Sequence, residues 1–211
     1  MKILSHRGYW KTVAEKNTPA AFERSFSLGF GTETDLRDLA GQLVVSHDPP
    51  AVGALAADDL LAIHQTHDAT LPLALNIKAD GLQSLLLNSL ERLPQLDAFV
   101  FDMSIPDAIQ WLKVGVPIFT RHSDVEPDPV LYSAAAGIWL DGFHGDWWDA
   151  AVIARHLDAG KRVCIVSPEL HRREHRAAWE RLANDGLPSD GTVMICTDLP
   201  EEAREYFGND H

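Results

Sequence analysis

Short runs of β-branched, aliphatic and aromatic residues recur along the chain, separated by stretches whose apolar positions repeat at helical spacing. Eight such runs, residues 3–5, 32–36, 73–77, 99–101, 117–120, 138–140, 162–166 and 193–196, are predicted strands. The intervening stretches carry helix signals. Thr18 followed by Pro19 makes a cap and first-turn pair, Phe22 and Phe26 share a face, and Gly29 ends the segment. Leu82, Leu85, Leu86, Leu90 and Leu93 form a second apolar stripe after Asp80 and Gly81. Eight strands alternating with helices predict an α/β chain, a (β/α)8 TIM barrel in one domain over residues 1–211. The rival doubly wound sheet needs a Gly-rich phosphate loop after its first strand, which residues 5–9 do not supply.

The connection over residues 38–72 is the longest. Within it, residues 42–46 read as a short extra strand that delivers His47 to the mouth of the barrel, and residues 58–66 as a polar helix. No repeat, low-complexity tract or linker interrupts the pattern.

Composition narrows the function. A chain of 211 residues with 45% apolar content buries one sizeable core. Its 31 acidic and 18 basic residues give a net charge of -13, which argues against a nucleic-acid partner and requires any anionic substrate to be held by local cations. Cys164 and Cys196 both lie in apolar runs, so buried thiols are expected rather than a disulfide framework. No run approaches the length of a membrane span, and Met1 leads directly into Ser5-His6-Arg7-Gly8 without a signal region. The expectation is cytoplasmic residence, a small-molecule substrate and no stable membrane insertion.

The candidate chemistry gathers at strand ends. Residues two apart in a strand point the same way, so Glu33 and Asp35 present two carboxylates together, a fit for one hard divalent cation, Mg2+ or Ca2+. The alternative is an exposed strand end. Asn76 and Lys78 repeat the spacing and offer an amide oxygen and an ammonium to the same cavity. His6 and His47 form a candidate acid-base pair for diester hydrolysis, and Arg7 is a bidentate phosphate donor.

These residues carry a resemblance. His6-Arg7-Gly8, Asn17-Thr18, Ala21-Phe22, Glu33-x-Asp35, His47-Asp48 and Thr197-Asp198-Leu199-Pro200 resemble the motifs of the glycerophosphodiester phosphodiesterase family, within the phosphatidylinositol-specific phospholipase C-like barrels. The likeness is dense over the first 80 residues and sparse from the fourth to the seventh strand. It implies metal-assisted acid-base cleavage of a P–O bond in a small or lipid-derived phosphodiester. In that reading Glu33, Asp35 and Asn76 hold the cation, His6 and His47 move protons, and Arg7 and Lys78 bind the phosphate. Three departures stand out: Lys16 replaces the acidic residue before Asn-Thr, Asn76 replaces the glutamate of Glu-x-Lys, and residues 166–169 replace a Trp-Thr pattern. Lys16 and Asn76 favour, as an alternative, a weakened barrel that binds a phosphate ligand in a regulatory role, and the change at residues 166–169 implies a remodelled substrate pocket to which glycerol specificity does not carry over.

Other signals are weaker. His171 to His175 matches an inverted zinc-protease pattern and permits a zinc hydrolase, but it opens a charged segment, residues 172–183, expected to be a solvated helix. His64 and His67 are expected at the surface, like His171 and His175. Trp147 and Trp148 are expected to pack between helices. Asp102, Ser104 and Arg121 are candidates to complete the pocket, and Asp141 or Glu169 to compensate for Asn76.

Overall fold

The computed structural model describes residues 1–208. The chain folds into two compact units, one Ser5–Ile118 and the other Met1–Leu4 together with the chain from Phe119 onward. The first strand, β1 (Lys2–His6), begins in the latter and ends in the former.

In the unit that starts at Ser5, β2 (Gly31–Leu39) is followed by the short strands β3 (Gln42–Val45) and β4 (Leu55–Ala56), then by β5 (Leu73–Ile77) and β6 (Ala98–Phe101). β2, β5 and β6 are parallel. β3 folds back antiparallel on the distal half of β2, from Leu36 opposite Val45 to Leu39 opposite Gln42. All five residues of β5 are buried, as the unbroken apolar run of a two-sided parallel strand requires. Four helices fill the connections: α1 (Pro19–Ser27), α2 (Ala57–Gln65), α3 (Gln83–Leu90) and α4 (Ile105–Val114). Thr18 caps α1 by accepting from Ala21 N, and Ser104 caps α4 by accepting from Asp107 N. Each cap contributes about 0.5–2 kcal/mol.

The other unit stacks β7 (Phe119–His122), β8 (Gly137–Leu140), β9 (Arg162–Val166) and β10 (Val193–Thr197) in parallel, with α5 (Ala150–Asp158), α6 (Arg176–Asn184) and α7 (Pro200–Phe207) between and after them. Its core joins Ile138, Leu140, Val163, Ile165, Val193 and Ile195 of the strands to Trp148, Ile153, Trp179 and Leu182. Cys164 and Cys196 are buried free thiols, as expected. Among the described residues no helix is long and apolar enough to cross a membrane.

The eight expected strands are β1, β2 and β5 to β10, and the extra strand before His47 is β3. β2 runs past its expected end at residue 36 to Leu39, and the starts of two elements move. The strand expected at 117–120 is Phe119–His122, because Pro117 lacks an N–H; its carbonyl instead accepts from Val100 N, and Ile118 makes an isolated bridge. The helix expected at 172–183 starts only at Arg176. Arg172 takes a left-handed conformation (φ 60°), and the Glu174 side chain accepts from Arg176 N and Ala177 N.

Candidate active site

β2 places Glu33 and Asp35 on one face, and both are almost fully buried, at 2% and 0% exposure, which excludes the exposed strand end. Strand register sets Asp35 opposite Asn76 on β5, and Asn76 opposite Phe101 on β6, the residue before Asp102. The Asn76 amide donates to Asp102 Oδ2 at 3.2 Å. A buried polar strip on β2 and β5 thus meets the exposed Asp102 just past the end of β6.

The loop after β1 is fastened to this strip through its backbone. Arg7 N donates to Glu33 O and Asn17 N to Arg7 O, both at 2.9 Å. Arg7, Asn17 and Asp102 all hold left-handed backbone conformations, with φ of 61°, 59° and 65°. Such conformations cost roughly 1–3 kcal/mol each and persist where the surroundings enforce them. Gly8 (φ 77°) is required twice over: a Cβ there would meet Ala21 Cβ at 2.8 Å and Phe22 Cδ1 at 3.1 Å, so the His6-Arg7-Gly8 and Ala21-Phe22 motifs are two sides of one contact. Ser5 is buried and bonds Ser25 Oγ and Thr32 Oγ1, each at 2.7 Å, so the serine before His6 locks β1 to its neighbours. The serine before His47 acts differently, fixing the chain beside Asp35. Ser46 N donates to Asp35 O at 3.0 Å and its hydroxyl to Asp48 O at 2.8 Å.

Asp35 is the hub. Its Oδ2 accepts from Asn17 Nδ2 at 2.9 Å and lies 3.2 Å from Arg7 Nε, while Oδ1 lies 3.4 Å from Lys78 Nζ. His6 Nε2 is 3.9 Å from Glu33 Oε2. The His47 ring is hydrogen-bonded through Nδ1 to Asp48 Oδ1 at 2.9 Å and is substantially exposed. A cavity of 540 Å³ is bordered by Arg7, Lys16, Asn17, His47 and the loop from Ala51 to Leu55. The structure therefore brings Arg7, Lys78 and Asn76 to Asp35 and His6 to Glu33, while His47 shares the cavity wall with Arg7.

Burial pushes the Glu33 carboxyl up to about 8; the charge of Asp35 adds to the effect, Arg7 and Lys78 oppose it, and Asp102 reinforces it. Glu33 Oε2, Asp35 Oδ1 and Asn76 Oδ1 are all buried without a hydrogen-bond partner, although such atoms are normally satisfied. Among the described residues no group of three or more His, Cys, Asp or Glu side chains is arranged to hold a metal ion. Two carboxylates and one amide are nonetheless the hard oxygen donors that Mg2+ and Ca2+ take.

Asp102 places a third acidic side chain beside Asn76. Asp141 and Glu169, considered for that role, are committed within their own unit: Asp141 accepts from Arg121 Nη1 at 2.5 Å and His171 Nε2 at 2.7 Å, and Glu169 from Thr197 Oγ1 at 2.5 Å and Asp198 N at 3.1 Å. Ser104 is a helix cap that also donates to Asp80. The zinc pattern fails because His171 and His175 do not share a helix; His175 pairs with Glu202 at 3.4 Å and packs on Trp179. His64 is not a surface residue. It is fully buried on α2 against Phe26 and bonds Leu71 O. Trp148 packs in the core as expected. Asn17 gives its signal only as part of a motif, and its role as a brace on Asp35 emerges from the turn that points it there.

No protein-family model matches this chain, and no curated protein matches it. Solved structures do. A glycerophosphodiester phosphodiesterase from Agrobacterium tumefaciens superposes with a TM-score of 0.64 at 18% identity, over 97% of this chain and 99% of that one. A glycerophosphoryl diester phosphodiesterase from Parabacteroides distasonis gives 0.66 at 13% identity, over 98% and 86%. This chain has the glycerophosphodiester phosphodiesterase fold. The class is α/β, the (β/α)8 barrel that the alternation of strands and helices implies. A Ca2+-dependent phosphatidylinositol-specific phospholipase C from Streptomyces antibioticus is also similar, with a TM-score of 0.53 at 11% identity over 96% and 95% of the two chains.

Proposed function

We propose that this protein is a phosphoric diester hydrolase of the cytoplasm, its residues 1–211 working as one domain, that cleaves a small or lipid-derived phosphodiester with the help of one divalent cation. The observation that carries this reading is the set of three buried oxygens without hydrogen-bond partners, Glu33 Oε2, Asp35 Oδ1 and Asn76 Oδ1, on the adjacent strands β2 and β5 beside Arg7 and Lys78. The likeness in fold to two glycerophosphodiester phosphodiesterases and to a Ca2+-dependent phospholipase C supports it. Two buried free cysteines are consistent with a reducing compartment.

In this reading Glu33, Asp35 and Asn76 would hold Mg2+ or Ca2+, with Asp102 adding charge through Asn76. The cation, when bound, supplies positive charge that neutralises a phosphate oxygen. Arg7 and Lys78 bind the remaining phosphate oxygens and stabilise the charge that develops as the attacking oxygen bonds to phosphorus. One of His6 and His47 takes the proton of the attacking hydroxyl, and the other gives a proton to the departing alkoxide as the P–O bond breaks. Asp48 holds the His47 ring, and Glu33 lies against His6. Incubation of bis(p-nitrophenyl) phosphate with the protein tests the reading: p-nitrophenolate release should require added Mg2+ or Ca2+ and stop with EDTA. Release that ignores the chelator contradicts the role given to the cation.

A further inference from the structure

Lys16 lies on the wall of the 540 Å³ cavity, next to Arg7 and Asn17. That volume is within the range of small-molecule sites, about 300–1,000 Å³. The ionisable side chains along the cavity are Arg7, Lys16, His47 and Asp48, and Asp48 already receives the His47 ring at 2.9 Å. A chain of net charge -13 thus presents a cavity wall in which cations outnumber carboxylates.

The lysine is also held in place. Its ammonium sits 4.4 Å from the centre of the Trp10 ring, a cation–π placement, and the indole N–H donates to His6 O at 3.1 Å. Its neighbour Asn17 is pinned to Asp35 Oδ2 at 2.9 Å, and its own N–H bonds Val13 O. A half-buried lysine seated over an aromatic ring loses less side-chain entropy when it meets a ligand than a solvated one. The loop from Ala51 to Leu55, which borders the same cavity, carries the fully exposed Val52, an apolar surface for a carbon chain.

We propose that Lys16 forms a subsite for a second oxyanion, so that the substrate class is a phosphodiester one of whose alcohol groups carries a further phosphate or carboxylate. The inference rests on the phosphodiesterase reading for the position of the first phosphate beside Arg7. It assigns the space between Arg7, Lys16 and the loop from Ala51 to Leu55 to the charged alcohol arm, which a diester with plain alcohols leaves unfilled.

The test compares three diesters without a neighbouring hydroxyl: diethyl phosphate, ethyl 2-carboxyethyl phosphate, and ethyl 2-(phosphonooxy)ethyl phosphate. Dissociation constants are measured by calorimetry with Ca2+ present. At least one doubly functional probe should bind about tenfold or more tightly than diethyl phosphate, the scale of one added charge-assisted contact. The carboxylate and phosphate arms tell which oxyanion is preferred. Lys16→Gln should collapse that ratio towards one, and Lys16→Arg should keep most of it, with melting temperatures confirming that both variants fold. Absence of any gain from the second oxyanion, or a gain that survives Lys16→Gln, overturns the proposal. The hydrolase reading is scored separately with bis(p-nitrophenyl) phosphate: discrimination without turnover keeps the subsite and removes the hydrolase, and turnover without discrimination does the reverse.

Discussion

The Asn76 side chain gives its amide N–H to Asp102 Oδ2 at 3.2 Å, which leaves Asn76 Oδ1 buried and without a donor. An amide in place of a carboxylate is thereby polarised by a carboxylate one strand away, since hydrogen bonding to an ionised acceptor shifts electron density towards the amide oxygen. Asp102 is held at a left-handed φ of 65° at the end of β6.

Replacing this carboxylate is expected to weaken the cation site. Asp102→Asn should lower Ca2+ affinity by about tenfold, the scale on which residues behind metal ligands act. Asn76→Glu should raise it by restoring a third anionic ligand. Calorimetric titration of both variants checks the pair, and unchanged affinity in Asp102→Asn excludes the compensating role.

Much of the fold is legible in the chain because its strands are short β-rich runs bounded by helix caps, and all eight appear. Glu33, Asp35, Asn76 and Lys78 are legible because their spacing of two is the strand period. Asp102 is legible only as a candidate; its partner lies 26 positions away, and nothing local distinguishes it from a turn aspartate. His64 escapes a local reading because its burial on α2 depends on Phe26 of α1, a packing fact rather than a sequence pattern. The pattern of His171 and His175 misleads because helical spacing means nothing where the backbone turns left-handed at Arg172.

Gly8→Ala should destabilise the fold by roughly 1–3 kcal/mol or more, from the left-handed φ alone. The 2.8 Å approach to Ala21 Cβ adds to the cost, and displacing α1 also moves the loop that carries Arg7. Urea unfolding measures it. Stability equal to the unsubstituted protein contradicts the contact between the two motifs.

Glu33 should couple cation binding to pH. With its carboxyl pushed up to about 8 by burial and by Asp35, it carries a proton at neutral pH in the cation-free protein, and that proton must leave when a cation binds. Affinity should therefore rise with pH up to about 8 and then level, with about one proton released per ion at pH 7. The same shift makes the cation-free fold lose stability as pH rises from the ordinary carboxylate range through 8. Titrations in buffers of different ionisation enthalpy count the protons; none released refutes the coupling.

His156 should make the fold acid-sensitive. Burial pushes its imidazole down to about 4, with His122 and Arg155 adding to the shift, and the ring is bonded to His122 and to Tyr132 at 2.9 Å each. A histidine depressed in the folded state supports stability above its ordinary pKa of about 6.5, and that support is lost as pH falls towards 4. His156→Gln should flatten the loss across that window, as followed by urea midpoints from pH 7 to 4. An equally steep profile in the variant contradicts it.

The turnover of bis(p-nitrophenyl) phosphate by His6→Ala and His47→Ala, each in the presence of Ca2+ or Mg2+, tests the proposed acid-base pair most directly. The variant that lacks the base should lose about 10²- to 10⁴-fold in rate, the range of general acid-base catalysis, and the one that lacks the acid should lose less, because p-nitrophenolate leaves without a proton; both should keep their circular dichroism and melting temperature. Wild-type rates in both folded variants contradict it and leave the barrel as a binding module for phosphate ligands.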